Sequence, residues 1–361
     1  MKLLEKFKMG DLELKNRLVM APMTRSRANV QGEVNDLIEK YYVQRASAGL
    51  IISEAVNISE QAIGSPFTPG LYTQEQIAAW KKVTSAVHKA DGIIFAQLWH
   101  TGRVGHSIDK NGVLPVSASA IAIQGQTHFT SQGPKDYETP RELSTEEVKQ
   151  IIQDFKQAAI NAKEAGFDGV ELHGAFGYLP NQFLVDGANK RNDEFGGSIE
   201  NRSRFVIEIM KGLVEVFGAD KAGIKLSPSI PYNGMIDSDP TALFSYLITE
   251  LNKLPLAYLQ LMQPMFPIDA FPTWPKDVLT TFGPLFDKTI IVNGGYDQEK
   301  GEKEVENNRA QLVSYGSAFL ANPDLPKRFE LNAELNTPDR NTMYGGGEKG
   351  FTDYPFLENN N

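Results

Sequence analysis

The chain contains no cysteine, so a disulfide framework, a thiolate nucleophile and a Cys-ligated metal are excluded, and no metal is expected. It also lacks a long hydrophobic run. No stretch approaches the roughly 18 apolar residues a membrane span needs. At the start, Glu5, Lys6, Lys8 and Asp11 break up what would be the apolar region of a signal peptide. Nor is there an excess of positive charge: the formal net charge is -9, whereas phosphate backbones and acidic membranes are held by clustered Lys and Arg. Nucleic acid and membrane therefore drop out as partners. The expectation is a cytoplasmic monomer or homodimer that handles a small molecule.

Hydrophobic residues make up 41% of the chain and charged residues 22%, a globular composition with no sign of disorder. Its 361 residues suit a single α/β-barrel domain, 1–361, with inserted loops. Eight short apolar runs recur with helical segments between them: Arg17–Ala21, Leu50–Ser53, Ile93–Leu98, Gly169–Leu172, Gly223–Leu226, Tyr258–Leu261, Thr289–Val292 and Gln311–Ser314. Several are apolar at consecutive positions, as strands covered on both faces are.

The helices carry their own boundaries. Ser144 to Glu147 reads as a capping box, followed at helical spacing by Val148, Ile151, Ile152, Phe155, Ala159 and Ala162, with Gly166 as the stop. Thr73 to Gln76 opens another helix, with Ile77, Trp80, Val83 and Val87 inward and Gly92 at its end. Asp239-Pro240 supplies a cap and a first-turn proline. The expected fold is α/β, a (β/α)8 TIM barrel, with an open doubly wound sheet as the alternative. Two stretches break the rhythm. Thr101 to Arg141 reads as a long excursion over the catalytic end after strand three, and the proline- and aromatic-rich Gln263 to Pro275 as a stiff loop near the pocket.

Reactive groups in such a barrel collect at the carboxyl ends of the strands. Read in order, those ends carry Ala21-Pro22-Met23-Thr24-Arg25, Ser53-Glu54-Ala55, Gln97-Leu98-Trp99-His100, His173-Gly174-Ala175-Phe176-Gly177-Tyr178, Asn293-Gly294-Gly295-Tyr296 and Tyr315-Gly316-Ser317, with Tyr344-Gly345-Gly346-Gly347 near the end. Jointly, in this order, the motifs resemble those of the Old Yellow Enzyme flavoproteins, the NADH:flavin oxidoreductase and N-ethylmaleimide reductase type, from residue 3 to about residue 356. No single piece is that specific.

The resemblance implies FMN as cofactor, NADPH or NADH as reductant, and an electron-poor alkene (enone, maleimide or nitroalkene) as substrate. Donors are needed around the ring's N5, O4 and N1–O2 edge, where reduction places negative charge. By resemblance Pro22, Met23, Thr24, the backbone at Ala55, Gln97 and Lys225 would surround the ring. Asn293, Gly294, Gly295, Gly316 and Ser317 would hold the phosphate end, where glycine allows close backbone approach. Trp99, His173, Phe176, Tyr178 and Tyr344 would line the substrate side, with His173 as hydrogen-bond donor and Tyr178 as proton donor to the α-carbon. Each also has an ordinary structural role: Thr24 as a strand-end hydroxyl, Gln97 as a core amide, His173 as a buried backbone-bonded histidine, Tyr178 as a packing aromatic, and the glycines as turns.

Three positions depart from the family pattern. Phe176 stands where His or Asn would give a second substrate donor, a loss of about 3 kcal/mol or roughly a hundredfold in rate. Lys225 stands for Arg, keeping the charge without the planar fork. Ser317 stands for a phosphate-binding Arg, weakening cofactor binding by about 1.5–3 kcal/mol. The expected function is a ping-pong ene-reductase. Nitro reduction or non-reductive isomerisation on the same flavin is the second reading, and a cofactor-poor binding protein the third.

Overall fold

All eight apolar runs form strands, and these pair in sequential order, every neighbour parallel, into a closed barrel. The strands are β1 Leu18–Met20, β2 Leu50–Asn57, β3 Ile94–Trp99, β4 Gly169–Gly174, β5 Ala222–Leu226, β6 Tyr258–Met262, β7 Thr289–Asn293 and β8 Leu312–Tyr315. This is a computed structural model, and it describes residues 1–357. Every strand residue except Thr289 is buried, which is why the runs read as continuously apolar. The closed circuit excludes the open-sheet alternative.

The helices are α1 Asp36–Gln44, α2 Gln74–Lys89, α3 Thr145–Glu164, α4 Leu179–Leu184, α5 Ile199–Phe217, α6 Pro240–Asn252, α7 Val278–Phe282, α8 Gln298–Glu306, α9 Ser317–Ala321 and α10 Leu325–Leu331. Both capping boxes form reciprocally, Thr73 with Gln76 and Ser144 with Glu147, and Asp239 caps α6 ahead of Pro240. Gly166 stops α3 in the left-handed region at φ 83°. At the end of α2 the left-handed residue is instead Asp91, φ 59°. Gly92 matters there for space: a Cβ would lie 2.7 Å from Val87 Cγ1.

One end of the barrel is plugged. The hairpin of Phe7–Met9 with Leu12–Leu14 sends Met9 and Leu14 against Val19, Leu50, Phe95, Tyr258, Ile291 and Leu312, an apolar floor that leaves only the carboxyl end open. Strand β2 runs past its expected end to Asn57, with a register shift against β3 between Ile52 and Ala55. The excursion after β3 is partly ordered. It holds the hairpin Thr127–Thr130 with Gly133–Asp136, and Val116–Ser117 pairs with Arg141–Glu142. The Lys110 ammonium pins it to the β2–α2 connection through the Gln61 and Ile63 carbonyls, at 2.5 and 2.9 Å.

Candidate active site

The open carboxyl end holds a cavity of 1130 Å³. Of the residues singled out in the sequence, Pro22, Met23, Thr24, Gln97, Trp99, His173, Phe176, Tyr178, Lys225, Asn293, Gly294, Gly295, Gly316, Ser317 and Tyr344 all line it. Ala55 does not: it lies 3% exposed in the bulged part of β2, opposite Gln97. Only its backbone is left for a ligand contact.

One wall is a group of three rings from two strand ends. The Tyr178 ring packs edge-on to His173 at 4.7 Å and to Trp99 at 4.9 Å between centroids. Local backbone chemistry fixes this arrangement. Tyr178 is the N-cap of α4, whose first turn carries Pro180, and the Leu179 N–H donates to the His100 carbonyl at 2.9 Å. Gly177 needs both its φ of 85° and its missing Cβ, which would sit 2.6 Å from Asn233 Cβ. Burial, aided by the nearby Lys225 cation, holds His173 well below the ordinary imidazole range, so the ring is neutral with one donor and one acceptor nitrogen. Its Nδ1 has no partner. Burial pushes the Tyr178 hydroxyl well up, so it keeps its proton.

Phe176 faces the same space with a ring and no donor. It sits at φ 57°, held there by its N–H donating to Ser227 Oγ at 3.0 Å and its carbonyl accepting from Asn233 Nδ2 at 2.8 Å. Its ring meets Tyr232 edge-on at 6.4 Å, and Tyr232 stacks on Phe266 of the proline-rich loop at 5.5 Å. That loop therefore reaches the cavity, as expected, through Met265, with Phe266 backing Tyr232. Tyr344 is 67% exposed and lies over the Arg25 guanidinium at 5.2 Å, so it belongs to the rim.

The cavity also presents unmet polar groups. Lys225 is 5% exposed, and among the described residues its ammonium has no hydrogen bond or ion pair; it lies over the Phe176 ring at 6.0 Å from the centroid. Gln97 donates its Nε2 to Glu171 at 2.7 Å and has nothing on its amide oxygen. Among the described residues the hydroxyls of Thr24 and Ser317 find no acceptor, and the buried Ser314 hydroxyl and Trp99 Nε1 are also without partners. At the β7 and β8 ends, Gly294 (φ 111°) and Gly295 (φ 72°) contribute backbone N–H groups that no acceptor among the described residues uses. A Cβ on Gly295 would meet open space. An isoalloxazine with a ribityl phosphate is a ligand of this kind: planar, and polar along one edge and one tail. The donor set fits it.

Several lining residues carried no signal that sequence spacing exposes. Tyr137, His128 and Phe129 come from the excursion, Tyr232 and Asn233 from the loop after β5, and Tyr296 from the residue after the paired glycines. Their approach depends on long-range folding. Arg25 was within reach, standing directly after Thr24; it is 3% exposed, with one guanidinium nitrogen unpartnered.

The model of the NADH:flavin oxidoreductase / NADH oxidase family matches residues 2–336. Among relatives, 12-oxophytodienoate reductase 1 of Oryza sativa subsp. japonica is 48% identical over 365 residues, covering 99% of this chain and 93% of that protein. Among solved structures, morphinone reductase in complex with tetrahydroNAD superposes with a TM-score of 0.93 at 45% identity, covering 99% of this chain and 98% of that one. The old yellow enzyme homologue from Zymomonas mobilis superposes with a TM-score of 0.95 at 36% identity, over 99% and 100% of the two chains.

Proposed function

This chain belongs to the NADH:flavin oxidoreductase / NADH oxidase family, the Old Yellow Enzyme relatives that act with FMN and a nicotinamide, and on that footing we propose that it reduces electron-poor alkenes with Tyr178 as proton donor. The reading rests on one observation above the others. A protonated tyrosine and a neutral histidine lie with their rings 4.7 Å apart in a cavity that also presents unpartnered polar groups suited to a flavin.

When bound, FMN supplies the hydride, taken from NADH or NADPH, that reaches the alkene β-carbon. Thr24, Gln97 and Lys225 would hold the ring, and Asn293 to Gly295 with Gly316 and Ser317 the phosphate end. His173 donates to the carbonyl, imide or nitro oxygen of the substrate and so draws electron density from the double bond. Tyr178 delivers its hydroxyl proton to the α-carbon, which balances hydride plus proton across the C=C bond. Trp99 packs against Tyr178 and excludes water from that side.

The test is an absorption spectrum of the purified protein with and without added FMN, then nicotinamide oxidation with cyclohexenone, maleimide and a nitroalkene as acceptors. A yellow protein that turns over at least one acceptor is expected. A protein that stays colourless in excess FMN, or oxidises no nicotinamide with any acceptor, refutes the reading. Phe176 supports a second reading on the same cavity. Its apolar ring polarises a carbonyl poorly, which favours nitro compounds or isomerisation over weakly activated enones.

A further inference from the structure

Beneath the cavity, in a barrel whose lower floor is apolar, one carboxylate is fully enclosed. Glu171 on β4 is 0% exposed and has no ion pair within 4.0 Å among the described residues. Its Oε1 accepts from Gln97 Nε2 at 2.7 Å and its Oε2 from Gln260 Nε2 at 2.8 Å. Two accepted bonds, one on each oxygen, are the pattern of an ionised carboxylate. Burial raises its pKa, while the Lys225 charge and the two amides pull it back. Enclosing an anion is costly, and a well-packed apolar side chain would fill the same place at lower free energy. Packing alone does not account for it.

The carboxylate's effect is on Gln97. If that amide turned over, its oxygen would face the Glu171 oxygen at hydrogen-bond distance, two acceptors in contact. The nitrogen is therefore held down, and the free amide oxygen is left on the cavity side. We propose that Glu171 is a positioning residue that locks the Gln97 amide, so that the cavity presents an acceptor there and selects a ligand with an N–H at that place. On the flavin reading, on which this rests, the ring's pyrimidine edge offers such a group, the N3–H. Lys225, one strand beyond Glu171, adds a cation for the neighbouring carbonyl oxygen. Glu171 itself does not line the cavity and acts only through Gln97 and its charge.

The experiment uses the full chain, stripped of flavin and titrated with FMN and with N3-methyl FMN by flavin fluorescence, alongside Glu171→Met and Glu171→Gln. The wild type is expected to bind FMN at least about tenfold more tightly than the methylated form. In Glu171→Met that preference falls toward one. Glu171→Gln, which keeps the volume and one acceptor and so preserves folding, lies between. The midpoint potential of bound FMN rises in Glu171→Met, because a buried negative charge has gone; a residue that only filled space would not move it in a defined direction. An unchanged preference in both variants, or a wild type that binds FMN but does not discriminate, overturns the inference and leaves the flavin reading standing. A wild type that binds neither flavin refutes the flavin reading, and this inference with it.

Discussion

A phenol serves as an acid only while it holds its proton, and burial raises the pKa of Tyr178 well above its ordinary value of 10. The folded protein therefore keeps that proton to higher pH. Alkene reduction should show no loss traceable to Tyr178 as pH rises to about 10. Tyr178→Phe should slow it by about 10²–10⁴-fold while leaving oxidation of the nicotinamide nearly unchanged, which stopped-flow of the two half-reactions separates. Phe176 makes the opposite case, a missing donor at a position with room for one. Phe176→His or Phe176→Asn should speed enone reduction, by up to about a hundredfold. If neither does, that donor never limited the reaction. The sequence displayed the identity of Phe176 but not its φ of 57° or its edge-on partner Tyr232, since both depend on the loop after β5.

The two glycines after β7 look equivalent in sequence and are not equivalent in the fold. Gly295 has φ 72° with open space where a Cβ would go, so Gly295→Ala carries only left-handed strain, about 1–2 kcal/mol. Gly294 has φ 111°, and its Cβ would sit 3.0 Å from the Gln263 carbonyl, so Gly294→Ala should cost more and also weaken FMN binding. Urea unfolding and flavin titration of the two variants would show the order; equal effects would mean the connection relaxes. At α3 the capping box was fully legible, because Ser144 and Glu147 satisfy each other's backbone locally. Ser144→Ala should cost about 1 kcal/mol with turnover unaffected. The course of β2 was not legible. Its bulge between Ile52 and Ala55 is set by pairing with β3, which no local pattern in Leu50–Ser53 encodes.

Closing the barrel also buries Glu54, 1% exposed, with the Arg25 N–H on one oxygen at 3.2 Å and nothing on the other. Burial raises its carboxyl from 4.5 to about 7. Between those values the folded state holds a proton that the unfolded chain has released. Stability from this group is thus present below pH 4.5 and lost as pH rises to 7, by about 3 kcal/mol in all. Urea unfolding from pH 4.5 to 8 should show a shallower fall for Glu54→Gln than for wild type; parallel curves would mean that Glu54 is ionised throughout. No helix among the described residues is long and apolar enough to cross a membrane.

The order and closure of the strands came from the fold, but strand number and the main helix boundaries were settled by local chemistry, since continuous apolar runs, capping residues and glycine stops act over a few residues. So was the order of polar groups at the strand ends, because a parallel barrel brings every such end to one face. Only the closed fold decided which of those groups remain unpaired. The Gln97 Nε2 donates to Glu171, which Gln260 bonds in turn, across strands β3, β4 and β6, and Ala55 stays in the wall because β2 bulges. Hydrogen-bond partners far apart in the chain are set by register and closure, and neither is a property of any single segment.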